Sequence, residues 1–264
     1  VAVVTGGGSG IGRAIAEALA SEGAIVLVLG RQFAKLQATA EAIRAEGGTA
    51  YPHAIDIADD LAIAEFQAMV TEKFGRVDLL VHNAAVHLMA SIHDSKISDF
   101  DRLFRTNVRA PYLLTQSLLS LLVPFSSQIV FVNSTAGLTA RAGVGQFAAT
   151  KFALKAFADS LRSELNSDGI RVMSVFPGRT ATPTQEGIFA QEGRTYEPEK
   201  LLQPEQVAEM VISSLKLPRS GEVTDIHIRG TINMSVEQRP KSKVGSAQPP
   251  KSMNEDRLVE SQTV

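Results

Sequence analysis

The sequence predicts an α/β fold: a seven-stranded parallel sheet, doubly wound, with helices on both faces and a flexible C-terminal tail. Three observations lead to it. Short β-branched runs alternate with longer amphipathic stretches. Several runs, VAVVT and QIVFV among them, are apolar at consecutive positions, as strands covered on both faces must be. The first run passes straight into a glycine-rich turn. In chain order the strands are expected at Val1–Thr5, Ile25–Leu29, Ala50–Ile55, Val77–His82, Gln128–Asn133, Arg171–Phe176 and Asp225–Ile228. Helices are expected at Ile11–Ser21, Phe33–Ala45, Leu61–Phe74, Ile97–Val123, Gly145–Leu165 and Pro204–Leu217. The last opens on a proline, which presets helical φ where its missing N–H would have no partner anyway. Right-handed crossovers between parallel strands then predict a ligand crevice beyond the carboxyl ends of the strands.

Composition narrows the function. The 264 residues are 44% hydrophobic and hold 26 Lys+Arg against 28 Asp+Glu, a net charge of −2. Such a chain lacks the cationic field that nucleic acid or anionic lipid requires, so neither is expected as a partner. With no cysteine there are no disulfides, thiolate nucleophiles or cysteine-ligated metals, and a cytoplasmic setting is expected. The richest apolar stretch, Leu113–Val123, is interrupted by Thr115, Gln116, Ser117 and Ser120 and reads as a buried helix rather than a membrane span. Residues 1–234 read as one folded domain. Residues 235–264 turn to Ser, Lys, Gln, Pro and Glu, too poor in apolar surface to offset an ordering entropy of roughly 1–2 kcal/mol per residue, and read as the tail.

The glycine turn is TGGGSGIG, Thr5 to Gly12, and the helix after it has Ile11, Ile15, Ala18 and Leu19 on one face. Strand, glycine turn and helix in succession form a phosphate cradle: glycines let the backbone approach a pyrophosphate whose charge rests on free amides at the positive helix end. Gly6, Ser9, Gly10, Ile11 and Gly12 are therefore the expected dinucleotide-binding residues of a Rossmann-type domain.

The spacing TGxxxGxG resembles the classical short-chain dehydrogenase/reductase family. Further matches follow in order: HNAA at His82–Ala85, Asn107 in TNVRAPY, Ser134 in NSTAG, Lys151, and PGRTAT from Pro177 to Thr182. The resemblance spans about Val1 to Arg229. It implies a seven-stranded doubly wound sheet and hydride transfer between a nicotinamide and a carbonyl or alcohol. It also implies that Asp56 and Ile57 contact the adenine, that Asn83 and Ala84 lie under the cofactor ribose, and that Pro177, Gly178, Thr180 and Thr182 flank the nicotinamide, with Thr182 holding its carboxamide.

An NAD-selective site normally ends its second strand in Asp or Glu, which binds the adenosine ribose and repels a 2′-phosphate. Here that position is Gly30, and Arg31 follows with a guanidinium suited to the phosphate. NADP(H) is expected in preference to NAD(H). Arg13, on a helix face, is expected to be solvated.

In the family a tyrosine of YxxxK exchanges the proton, a serine holds the substrate oxygen, the lysine tunes the phenol, and an asparagine supports a water-linked relay. The corresponding segment here is GQFAATK: Phe147 stands four residues before Lys151 and thirteen after Ser134. Asn107, Ser134 and Lys151 are present, but the proton-exchanging position carries an inert ring. Loss of a general acid or base typically removes about 10²–10⁴ in rate, so chemistry should be nearly silenced while cofactor binding persists. Thr150 is expected to face elsewhere on the helix. Tyr51, Tyr112 and Tyr196 are the only phenols.

Thr184–Glu199 reads as a lid, with Phe189 and Tyr196 lining a pocket, and His87 and His93 as exposed loop histidines near its mouth, with no metal involved. The helices Ile97–Val123 and Gly145–Leu165 carry Leu113, Leu118, Leu122, Phe152, Phe157 and Leu161, more apolar surface than one sheet needs, and a homodimer or homotetramer built on them is expected, as in the family. Two functions fit: an NADP-dependent oxidoreductase with its proton donor missing, or a non-catalytic NADP(H)-binding sensor or interaction module.

Overall fold

In the computed structural model, residues 1–232 are described; the expected tail at 235–264 lies outside them. Seven strands, β1 (Ala2–Thr5), β2 (Ile25–Gly30), β3 (Thr49–Ala54), β4 (Leu79–His82), β5 (Gln128–Val132), β6 (Arg171–Pro177) and β7 (Asp225–Ile228), form one sheet in the order β3-β2-β1-β4-β5-β6-β7. Every pairing is parallel, with Val3 opposite Leu27 and Leu80. The chain builds outward from β1 to β3 and then returns to β4 on the other side of β1. The crevice between the carboxyl ends of β1 and β4 is therefore the reversal point at which doubly wound sheets take their ligands.

Consecutive strand residues face opposite layers, which explains the unbroken apolar runs. Val4, Val26, Val28 and Val81 pack under α1 (Gly10–Ser21), α2 (Phe33–Ala45) and α8 (Pro204–Leu215). Val3, Leu27, Leu80 and Phe131 pack on the other face under α3 (Asp60–Lys73), α5 (Ala110–Leu118) and α6 (Gly145–Leu165). Asp59 begins α3 by accepting from the amides of Leu61 and Ala62. Pro52 is tolerated in β3 because that strand is an edge.

One expectation fails. The single helix Ile97–Val123 is instead α4 (Ile97–Phe104), a π turn at Arg105–Arg109, α5 and a 3₁₀ turn at Leu119–Leu121. The local signal was Pro111, whose missing N–H and ring bulk disfavour a continuous helix through that point. The segment expected as a lid contains a helix that the sequence reading did not give, α7 (Pro183–Gln191), capped by the Thr182 hydroxyl accepting from the Gln185 amide at 3.2 Å.

Candidate functional site

The crevice begins with the turn from β1 into α1. Gly6 and Gly10 adopt φ of 66° and 54°, left-handed values that glycine takes without strain. A Cβ at Gly6 would lie 2.8 Å from Asn83 Nδ2, and one at Gly10 2.9 Å from Thr182 Cγ2. At Gly12 it would overlap both the Asn83 amide and the Gly6 carbonyl oxygen. The glycines thus let three segments close on one point: the β1 turn, the end of β4 and the turn after β6. Ser9 stands at the N-cap of α1 without a side-chain capping bond among the described residues. The first helical bond is Arg13 N–H to Ser9 C=O, so the amides of Gly10, Ile11 and Gly12 precede it as free donors at the helix end.

Thr5 ties β1 to β4, a role the sequence reading missed. Its hydroxyl donates to Val81 O at 3.2 Å and accepts from the amides of Asn83 and Ala84 at 2.9 and 3.1 Å. Asn83 returns the tie through Nδ2 to the carbonyls of Thr5 and Gly6 at 3.1 and 3.2 Å.

At the end of β2, Gly30 is followed by exposed Arg31. Lys35, not anticipated from sequence, stands in the first turn of α2 against the glycine turn: a Cβ at Gly8 would lie 3.1 Å from Lys35 Cβ. Asp56 is exposed just after β3 and accepts from the Ala58 amide, while Ile57 is buried. Arg13 is half-exposed and pairs with Glu17 at 2.7 Å, as expected of a solvated residue.

The catalytic-type residues gather at the ends of β5 and α6. Ser134 follows β5 in an extended conformation, and its Oγ accepts from the Ala136 amide. Lys151 is 3% exposed, and burial lowers its pKa to about 8. Its Nζ donates to Val132 O at 3.3 Å and lies 5.7 Å from the centroid of the Phe147 ring. Asn133 Nδ2 donates to the Lys151 carbonyl at 3.1 Å, joining α6 to the end of β5.

Asn107 lies in the π turn, fully buried. Its Oδ1 accepts from Val86 N at 2.8 Å, and its Nδ2 donates to Val86 O at 2.9 Å and to Thr150 Oγ1 at 3.1 Å. Thr150 Oγ1 in turn donates to Phe147 O at 2.7 Å. Thr150, expected to face elsewhere on the helix, joins Asn107 to α6 through these bonds, a contact that helical spacing within α6 alone does not reveal.

Pro177 ends β6, Thr180 is buried with its hydroxyl on Gly178 O at 3.0 Å, and Tyr196 Oη reaches Thr182 O at 3.5 Å. His93 is exposed, but His87 is not a free loop histidine. Its ring meets that of Phe147 at a centroid distance of 4.4 Å, and its pKa falls to about 4, through burial first and then the charges of Arg141, Lys151 and Arg179. His87, Arg141 and Arg179 come from separate loops, so no sequence spacing announces their meeting with α6.

A family model described as short chain dehydrogenase matches residues 1–193. An uncharacterized short-chain type dehydrogenase/reductase of Sinorhizobium fredii is 33% identical over 236 residues, covering 88% of this chain and 91% of the relative. A solved metagenomic short-chain oxidoreductase in complex with NADP superposes with a TM-score of 0.76 at 31% identity, covering 88% of this chain and 96% of that one. The alcohol dehydrogenase of the archaeon Thermococcus sibiricus complexed with 5-hydroxy-NADP has a TM-score of 0.77 at 27% identity, covering 91% and 98%.

Proposed function

The chain belongs to the short chain dehydrogenase family, and within it we propose an NADP(H)-dependent oxidoreductase of carbonyl or alcohol substrates whose proton exchange is suppressed by Phe147. The glycine cradle, the free amides opening α1 and the close approach of Asn83 and Thr182 suit a pyrophosphate dinucleotide. Arg31, with Lys35 beside the glycine turn, suits an adenosine 2′-phosphate, and the NADP complexes among similar structures agree with that preference over NAD(H). When bound, the nicotinamide supplies or accepts the hydride.

In this reading Ser134 holds the substrate oxygen and Lys151 binds ribose hydroxyls while placing positive charge beside position 147. Asn107 is a positioning group that ties the β4–α4 loop to α6 through Val86 and Thr150. The observation that carries the reading is Lys151: a buried lysine with a pKa of about 8, one helical turn from residue 147, is an expensive arrangement for a chain that has no use for it. Phe147 itself favours a second reading, a non-catalytic NADP(H)-binding module, because its ring has no exchangeable proton. Calorimetric titration with NADPH followed by assay of Phe147→Tyr separates them. Turnover in the variant supports the enzyme, tight binding with continued silence supports the module, and no binding defeats both.

The homo-oligomer expectation is narrowed by burial. Leu118, Leu122 and Leu161 belong to the core of this chain, which leaves exposed Tyr112, Leu119 and Phe152 on α5, its 3₁₀ extension and α6 as the proposed contact between copies. Among the described residues no helix is long and apolar enough to cross a membrane.

A further inference from the structure

We infer that the substrate of this site carries a carboxylate, received by Arg179 together with Arg141 and Arg194, and that Glu192 occupies their guanidinium groups in its place. This inference rests on the oxidoreductase reading above and specifies its substrate class. Arg179 directly follows the Gly178 turn, and its backbone is clamped on both sides. Gly178 N donates to Ile228 O at 2.8 Å, Leu202 N donates to Arg179 O at 3.2 Å, and Ala181 N donates to Leu202 O at 2.8 Å. The side chain is only 9% exposed. Its Nη2 donates to Glu192 Oε1 at 2.6 Å, but Nε and Nη1 are buried with no hydrogen-bond partner among the described residues. A buried guanidinium ordinarily spends its donors on acceptors, and two idle nitrogens mark a place where an acceptor is wanted.

The surroundings specify an anion. Arg141 Nη2 lies 3.5 Å from the same Glu192 oxygen, and Arg194 Nη1 lies 3.3 Å from the other. Three cations thus share one carboxylate. Burial opposes ionisation of Glu192, yet the hydrogen bond from Arg179 and the three guanidinium charges hold its pKa below the usual range. The fully buried ring of Phe189 supports the arrangement, with the guanidinium carbons of Arg179 and Arg194 at 4.9 and 5.0 Å from its centroid.

His87 connects this cluster to the reacting position: it packs on Phe147 and feels the charges of Arg141, Arg179 and Glu192 together with that of Lys151. A neutral ketone would leave the surplus positive charge unused. Glu192 already demonstrates that a carboxylate fits between these guanidinium groups, which favours that group over a bulkier phosphoryl.

The test is calorimetry on the full chain. NADPH is titrated first; benzoate, phenylacetate and 2-oxobutanoate are then titrated into the NADPH complex, each beside its neutral amide. At least one carboxylate is expected to bind about tenfold or more tightly than its amide. Arg179→Met should erase that preference, with NADPH affinity confirming that the variant is folded. Glu192→Gln should strengthen carboxylate binding several-fold, because it removes the internal competitor; a merely structural ion pair predicts no gain. Equal binding of acids and amides, or unchanged or weaker carboxylate binding in Glu192→Gln, overturns the inference while leaving the cofactor reading intact. Failure of NADPH itself to bind would instead remove the reading on which it rests.

Discussion

Phe147→Tyr places a hydroxyl where the proposed reading puts the proton exchange that this chain lacks. The ring is 8% exposed, with the His87 ring at 4.4 Å and the Lys151 Nζ at 5.7 Å from its centroid, so the substitution keeps the ring packing and adds one polar atom. Unit charges at about that Nζ separation attract by about 3 kcal/mol at an effective dielectric of about 20, which sets the scale on which Lys151 would favour a phenolate there. That attraction lowers the pKa of a phenol at this position, and burial works against part of the gain. A phenol whose pKa is moved downward serves better as a general acid or base, which typically contributes about 10²–10⁴ in rate. The assay is NADPH oxidation followed optically across a carbonyl panel that includes oxo acids, from pH 6 to pH 10. The expected result is activity in the variant at least about 100-fold above the Phe147 chain, with NADPH affinity nearly unchanged. Unaltered silence at saturating NADPH would refute the argument that Phe147 is what disables an otherwise assembled site.

Arg31→Ala is expected to weaken NADPH binding about 10- to 100-fold, the worth of a charge-assisted phosphate contact, and to leave NADH binding little changed; parallel titrations of the two cofactors check it. Buried His82, bonded through Nε2 to Thr115 at 2.8 Å, has a pKa lowered from 6.5 to about 3 by burial. The unfolded chain therefore takes up this proton first, so the contribution to stability is complete above pH 6.5 and declines as pH falls toward 3, by roughly 2 kcal/mol between pH 6.5 and 5. Urea midpoints should show a shallower acid slope in His82→Gln. Lys151 acts in the same sense at higher pH: its contribution is complete above 10.5 and declines toward about 8. Phe152→Glu should shift light-scattering mass toward the monomer without loss of NADPH binding; an unchanged mass would move the contact between copies elsewhere.

Much of this molecule is legible along the chain because the relevant physics is local. Unbroken apolar runs report strands covered on both faces, glycine spacing reports a backbone that must turn with positive φ, and the four-residue interval from Phe147 to Lys151 puts both side chains on one helical face. Where local chemistry was misread or missed, the cue was small: Pro111 within an apparently continuous helix, and Thr182 followed by Pro183 as the start of α7.

The strands, the glycine cradle and the phenylalanine four residues before Lys151 were thus determined by sequence alone. The tertiary structure decided what surrounds that position. It brought His87 onto Phe147, turned Thr150 toward Asn107, and gathered Arg141, Arg179 and Arg194 about Glu192 from three loops. Arg141 follows β5, whereas Arg179 and Arg194 lie before and after α7 in the connection from β6 to β7; their side chains meet because adjacent parallel strands align their carboxyl ends, a consequence of topology that no spacing along the chain encodes.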